Sequence, residues 1–231
     1  YNPSVGLAAA DVLEAAGIDV GLAPKVCCGR PLISQGLLDE ARIRAESATE
    51  RLFPLAEQGA RFIFFEPSCL SAMREDVPDL LRGDAQRRAR TVSDACVLFE
   101  PFLEERCADG TVTLALREGP KRIMLHGHCH QKSMGLLAPA RALLSRVPGA
   151  AVVELDAGCC GMAGSFGYAR DHYDVSKAIG ERRLLPAARA LDASSVLVAS
   201  GVSCRHQVED FTATSALHPA ELLRSLLVGG A

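Results

Sequence analysis

The chain has 231 residues, 48% apolar and 23% charged, with a formal net charge of -3. That length can bury a real core as one domain or two small ones, and such a balance attracts neither nucleic acid nor an anionic membrane. No apolar run nears the roughly eighteen residues of a membrane span, no signal peptide opens the chain, and it begins Tyr1-Asn2-Pro3 without an initiator Met, as a fragment or processed product would.

In chain order, helical periodicity over residues 5–16 ends at Gly17, which is placed to stop a helix. A strand is expected at 18–22, a long helix at 37–55, a strand at 61–65 and a short apolar helix near 99–105. Strand 122–126 follows, then helix 136–145, stopped by Pro148 and Gly149, and strand 151–155. Helix 169–191, strand 195–199 and a closing helix near 218–227 complete the set. Strand–helix alternation of this kind predicts an α/β fold with mostly parallel sheets covered by helices. Ligand sites in such sheets lie at the carboxyl ends of strands.

Nine cysteines is a high count for this length. A secreted disulfide scaffold fits poorly, because such scaffolds are small and poor in core residues. Adjacent cysteines also pair badly with each other, since the short link strains the bond. Metal-ligating thiolates in a reducing cytoplasm fit better.

The tripeptide Cys-Cys-Gly occurs twice, at Cys27-Cys28-Gly29 and Cys159-Cys160-Gly161. The shift of 132 residues that superposes them also places Arg51-Leu-Phe-Pro54 on Arg183-Leu-Leu-Pro186 and Gly17 on Gly149. After a three-residue insertion, Pro67-Ser-Cys69 faces Val202-Ser-Cys204. The chain therefore reads as two pseudo-symmetric, Rossmann-like α/β halves, 1–118 and 119–231. The first is expected to lack an opening strand that would precede Tyr1.

The second half offers Cys129, Cys159, Cys160 and Cys204, each following a predicted strand. Soft thiolates suit an iron–sulfur cluster or zinc. Vicinal cysteines favour a cluster, because neighbouring side chains diverge and reach different irons more easily than two corners of one tetrahedron. Gly158 and Gly161 flank the pair and permit close backbone approach to a bulky group. His126, His128 and His130 surround Cys129, and could orient a ligand or form a hydrogen-bonded strand-end set. His206 has the same two readings; Lys132 and Arg205 would stabilise thiolates or simply face solvent. Cys27, Cys28 and Cys69 form an incomplete first set, while Cys96 and Cys107 read as small buried hydrophobes. Thiol–disulfide chemistry without metal is a further alternative.

These motifs resemble the cysteine-rich CCG domain family, in which a Cys is followed by Cys-Cys-Gly and then Cys-x-x-Cys, usually twice. Within it, His126-Gly-His-Cys-His-Gln-Lys132, Gly158-Cys-Cys-Gly-Met-Ala-Gly-Ser-Phe-Gly-Tyr168, Ser203-Cys-Arg-His-Gln207 and Leu217-His-Pro-Ala-Glu-Leu222 are most similar to one branch. That branch comprises FAD-linked D-lactate or D-2-hydroxyglutarate dehydrogenase-like proteins. It is related to the iron–sulfur subunits of glycolate oxidase and to the CCG-bearing subunit of heterodisulfide reductase. The resemblance implies an iron–sulfur electron-transfer domain, with a 4Fe-4S cluster as the expected cofactor and structural zinc as the alternative. It implies metal ligation by Cys129, Cys159, Cys160 and Cys204, and by Cys27, Cys28 and Cys69 in the first motif, with Gly158, Gly161 and His128 at the cofactor. It implies an FAD-binding dehydrogenase domain and a ferredoxin-like Fe–S domain as partners, a quinone or other electron acceptor, and no activity of this domain alone. The expected location is the cytoplasm, with peripheral contact at the inner face of the cell membrane. Two departures stand out: Glu66 and Gly201 occupy the first position of the two Cys-x-x-Cys motifs.

Overall fold

The computed structural model describes residues 2–229, which form two compact units. One comprises Gly21–Leu98; the other comprises residues 2–20 and 99–229. Both are α/β with parallel strands.

In the Gly21–Leu98 unit, β1 (Phe62–Phe64) pairs in parallel with β2 (Cys96–Leu98). The helix Leu38–Glu57 packs on the helix Gly83–Ala95. Its buried residues, Ala41, Ala45, Ala48, Thr49 and Leu52, recur at three- and four-residue steps, so one narrow face of small side chains lets the second helix approach closely. The chain after Cys69 continues as a π-helical turn, Ala72–Asp76, between the short helices Pro67–Ser71 and Val77–Leu80.

In the larger unit, β3 (Arg122–His126) lies between β4 (Ala151–Glu154) and β5 (Ser195–Ala199), all parallel. The register sets Leu125 beside Glu154 on one side and Val198 on the other, and pairs His126 with Ala199. Ile123, Leu125, Leu197 and Val198 are almost wholly buried under Leu143, Leu144, Leu222 and Leu223 of the covering helices. Each such side chain contributes about 1.5–3 kcal/mol by leaving water. The helix Pro3–Ala15 packs on Pro219–Leu226, so the start of the chain belongs to this unit. It ends as expected at Gly17, with φ 74°: the Gly17 amide donates to Glu14 and the Ile18 amide to Leu13, closing a Schellman turn.

Two expected elements differ. Residues 18–22 form no strand: Asp19, Gly21 and the nearby Pro24 are poor strand formers, the segment joins no ladder, and Leu22 is fully exposed. The helix expected over 169–191 is divided into a 3-10 turn Arg170–His172, a helix Tyr173–Gly180 and a helix Leu184–Arg189. Pro186 is the cause. It has no amide to bond to Arg182, and its ring would clash with that carbonyl. In the first turn of its own helix neither cost arises.

Candidate metal centre

The carboxyl ends of β3, β4 and β5 converge on one site. After β3 the chain enters the helix Cys129–Ser133, capped by His128, whose Nδ1 accepts from the His130 amide at 3.2 Å. Gln131 completes the cap by accepting from the His128 amide at 3.3 Å. After β5, Gly201 caps the helix Val202–Phe211, which carries Cys204 in its first turn. After β4, Cys159 and Cys160 lie in an irregular loop.

The structure brings the four second-half thiols together. Cys160 Sγ and Cys204 Sγ are 3.3 Å apart and nearly inaccessible, at 3% and 1% exposure. Cys159 bonds with both Cys129 and Cys160, giving an unbroken run Cys129–Cys159–Cys160–Cys204. Cys129 and Cys159 are half-buried, so the run opens toward solvent at one end and is sealed at the other.

Neighbouring sulfurs share protons. The hydrogen bond with Cys129, then that with Cys160, holds Cys159 far below the ordinary thiol range, while Cys129 is pushed up by its bond with Cys159 and by burial. The hydrogen bond with Cys160 holds Cys204 well below that range despite complete burial, and the His126 ring acts in the same direction. Cys160, bonded to Cys159 and Cys204, is pushed up. Four thiolates this close would repel one another strongly, so only a cation allows all four to ionise.

The loops are tied down by cations. Lys132 Nζ donates to the carbonyls of Ala157 and Gly158, just before the cysteine pair. The buried Arg205 donates through Nη1 to Ala199 and Ser200 at 2.9 and 2.8 Å, fixing the end of β5. Gly161 has φ 106°, and a Cβ there would collide with the Ser176 carbonyl oxygen, so only glycine carries the chain past that helix. Its amide donates to Cys159 Sγ at 3.3 Å. Gly158 has open space around it and no such requirement. At Gly201 a Cβ would run into His128 Cδ2 and stand 3.1 Å from Cys204 Sγ; the His128 ring fills the space a side chain would need.

The first motif is smaller. Cys28 Sγ and Cys69 Sγ are 3.2 Å apart, while Cys27 is exposed. The bond with Cys69, helped by Arg30, brings Cys28 down to about 7. Cys69 is pushed up by its bond with Cys28, by burial and by Glu66. Arg30 on one side and Glu66 on the other thus leave the shared proton on Cys69. Arg30 is held by Asp76, Ser71 and the Ser68 carbonyl, all on or beside the π-helical turn. Glu66 Oε1 accepts from the Ser68 amide and hydroxyl at 3.2 and 2.9 Å, capping the helix that bears Cys69. Cys96 lies apart, its thiol pushed up to about 12 by burial.

Sequence reasoning left three features undecided or unseen. His126 is 1% exposed, and one of its nitrogens, Cys160 Sγ and Cys204 Sγ all lie within 4.8 Å of one another. Arg30 had no motif to mark it. A cavity of about 420 Å³ beside Met162 is lined by Tyr168, Tyr173, His206 and Asp210. His206 meets the Tyr168 hydroxyl there at 2.8 Å, through Nδ1. Among the described residues no helix is long and apolar enough to cross a membrane.

Residues 2–74 and 123–209 match the CCG family of cysteine-rich domains. The chain is 32% identical over 98% of its length to a subunit of the anaerobic glycerol-3-phosphate dehydrogenase of Escherichia coli strain K12, spanning 56% of that protein. It is 27% identical over 92% of its length to the D-2-hydroxyglutarate dehydrogenase of Pseudomonas putida, and covers 20% of it. It is also 26% identical, over 91% of its length, to a subunit of the dihydromethanophenazine:CoB–CoM heterodisulfide reductase of Methanosarcina barkeri, spanning 51% of that protein. The chain thus spans about half, or less, of the relatives it matches, and these are dehydrogenases, reductases or their subunits.

Proposed function

This chain belongs to the CCG cysteine-rich domain family, and we propose from this that it is the iron–sulfur electron-transfer domain of a flavin-linked 2-hydroxyacid dehydrogenase of the D-2-hydroxyglutarate, D-lactate or glycolate type. The observation that carries the reading is the run of four thiols gathered at the ends of three adjacent strands. Cys129, Cys159, Cys160 and Cys204 would hold the cluster, 4Fe-4S by expectation, which when bound supplies one-electron transfer. Lys132 and Arg205 hold the ligand loops, and the Gly161 amide bonds to a ligand sulfur. Such bonds and fixed positive charge tune a centre's potential. The half-exposed Cys129 and Cys159 form the face through which electrons would pass.

FAD and a ferredoxin-like cluster would sit on separate domains, and a quinone or another acceptor would take the electrons. The domain alone would not act on a hydroxy acid. It would work in the cytoplasm, or against the inner face of the membrane. The division at 118/119 into two repeats belongs to the same proposal. So does a second ligand set of Cys27, Cys28 and Cys69, one donor short of four.

One observation favours a second reading, a structural zinc ion. A tetrahedral ion with metal–sulfur bonds of about 2.3 Å holds two thiolates roughly 3.8 Å apart, close to the 3.3 Å between Cys160 and Cys204.

Anaerobic reconstitution with iron and sulfide tests the proposal. The wild type should turn brown, with broad absorption near about 400 nm, and Cys160→Ser should lose most of its iron. A colourless, iron-free wild type would overturn it, and one equivalent of tightly held zinc would establish the second reading instead.

A further inference from the structure

Three histidines of the larger unit are buried: His126, His128 and His218, at 1%, 5% and 0% exposure. Two have evident structural work. His128 Nδ1 accepts from the His130 amide at 3.2 Å, and His218 Nδ1 accepts from the Ala220 amide at 3.1 Å; each caps a helix. His126 caps nothing. Neither of its ring nitrogens meets a hydrogen-bonding partner in acceptable geometry among the described residues. A buried imidazole left in that state is destabilising, and coordination of an ion is one of the few things that explains it.

Its surroundings supply the explanation. His126 is the last residue of β3, and its partner in the ladder is Ala199, the last residue of β5. That register sets its ring against Cys160 and Cys204, with one donor atom from each of the three residues lying within 4.8 Å of the other two. The alternative direction is closed: beside Cys204, the place of a side chain at Gly201 is filled by the His128 ring. His126 is therefore the nitrogen donor at the sealed end of the thiol run.

We propose that His126 is a direct ligand of the metal centre, making it a mixed imidazole–thiolate site. This deepens the function proposed above and rests on it. A neutral imidazole in place of a thiolate removes one negative charge from the ligand set, and exchanges of this kind raise the potential of iron–sulfur centres. The site would then hold its electron more readily than an all-thiolate centre in the same pocket.

The test uses protein grown with 15N-histidine, reconstituted anaerobically with iron and sulfide, reduced, and measured by pulsed paramagnetic resonance. A nitrogen coupling that changes with the isotope is expected. It should persist in His128→Asn, which keeps a capping side chain, and in His130→Ala and His206→Ala. It should vanish in His126→Ala, with chelators removing the iron roughly tenfold faster or more, since changing even residues that merely support ligands costs 10–100-fold. If His126→Ala does not fold, persistence in the other three variants together makes the assignment. Failure to bind iron at all would overturn the proposed function. A bound cluster with no histidine nitrogen coupling, or with one that survives in His126→Ala, would leave that function standing and overturn the inference.

Discussion

Cys160 and Cys204 lie 44 residues apart in the chain, yet their sulfurs are 3.3 Å apart inside a wall of protein. One follows β4 and the other follows β5, on opposite sides of β3. A contact between two buried thiols across a sheet has little value for packing alone. It has a clear one as part of a ligand set.

Metal should therefore stabilise the fold measurably. At a free metal concentration of about a hundred times Kd, stabilisation is about 2.7 kcal/mol, a rise in Tm of roughly 5–10 °C for a chain this long. Calorimetry of anaerobic protein with and without metal should show that increment. In Cys204→Ser the increment should disappear while the metal-free transition persists.

The two glycines near the cysteine pair should behave differently. Gly161→Ala forces a Cβ against the Ser176 carbonyl at φ 106° and should cost about 2–4 kcal/mol. Gly158→Ala meets open space and should stay within about 0.5 kcal/mol of wild type. Urea midpoints of the two variants check this directly.

The Cys28–Cys69 pair should make the stability of the metal-free protein depend on pH. Cys28 is lowered to about 7 in the fold from an ordinary value of 9.0, so its contribution is complete above 9 and lost as pH falls through 7. Cys69 is raised, so it opposes folding once pH exceeds the ordinary thiol value. The two titrate as a pair, and together they should make stability rise from pH 7 to 9 and fall beyond. Subtracting the urea midpoints of Cys28→Ser from those of the wild type across that range should isolate the peak.

Leu125 is wholly buried in the central strand of the larger unit. Leu125→Ala should cost about 2–5 kcal/mol through lost burial and the cavity left behind. Thermal unfolding measures the loss, and the metal content of the folded fraction should not change.

Much of this architecture can be read from the chain. The runs at 122–126 and 195–199 are strands from end to end, because apolar or β-branched residues fill them and turn residues bound them. Gly17 and Gly149 take the left-handed conformation their positions imply. Residues 18–22 failed as a strand because an apolar run forms one only when a neighbour offers a ladder, and this one has none. The site is less legible. His126, His128 and His130 alternate along the chain like interchangeable members of one set. What separates them is non-local: a cap engages His128, and the register of β3 against β5 turns His126 toward two sulfurs. Arg30 acts through Asp76, 46 residues away, which no local pattern foretells.

The parallel register of β3 with its two neighbours carries a consequence for assembly. Donors dealt out at the tips of three strands, and drawn from residues 126 to 204, do not meet until those strands have docked. A slip of one residue in β5 would turn Cys204 away from Cys160 and His126. Tight metal uptake thus reports on the sheet being correctly aligned, and the species that receives the metal is an already ordered fold whose entrance is the half-exposed end at Cys129 and Cys159.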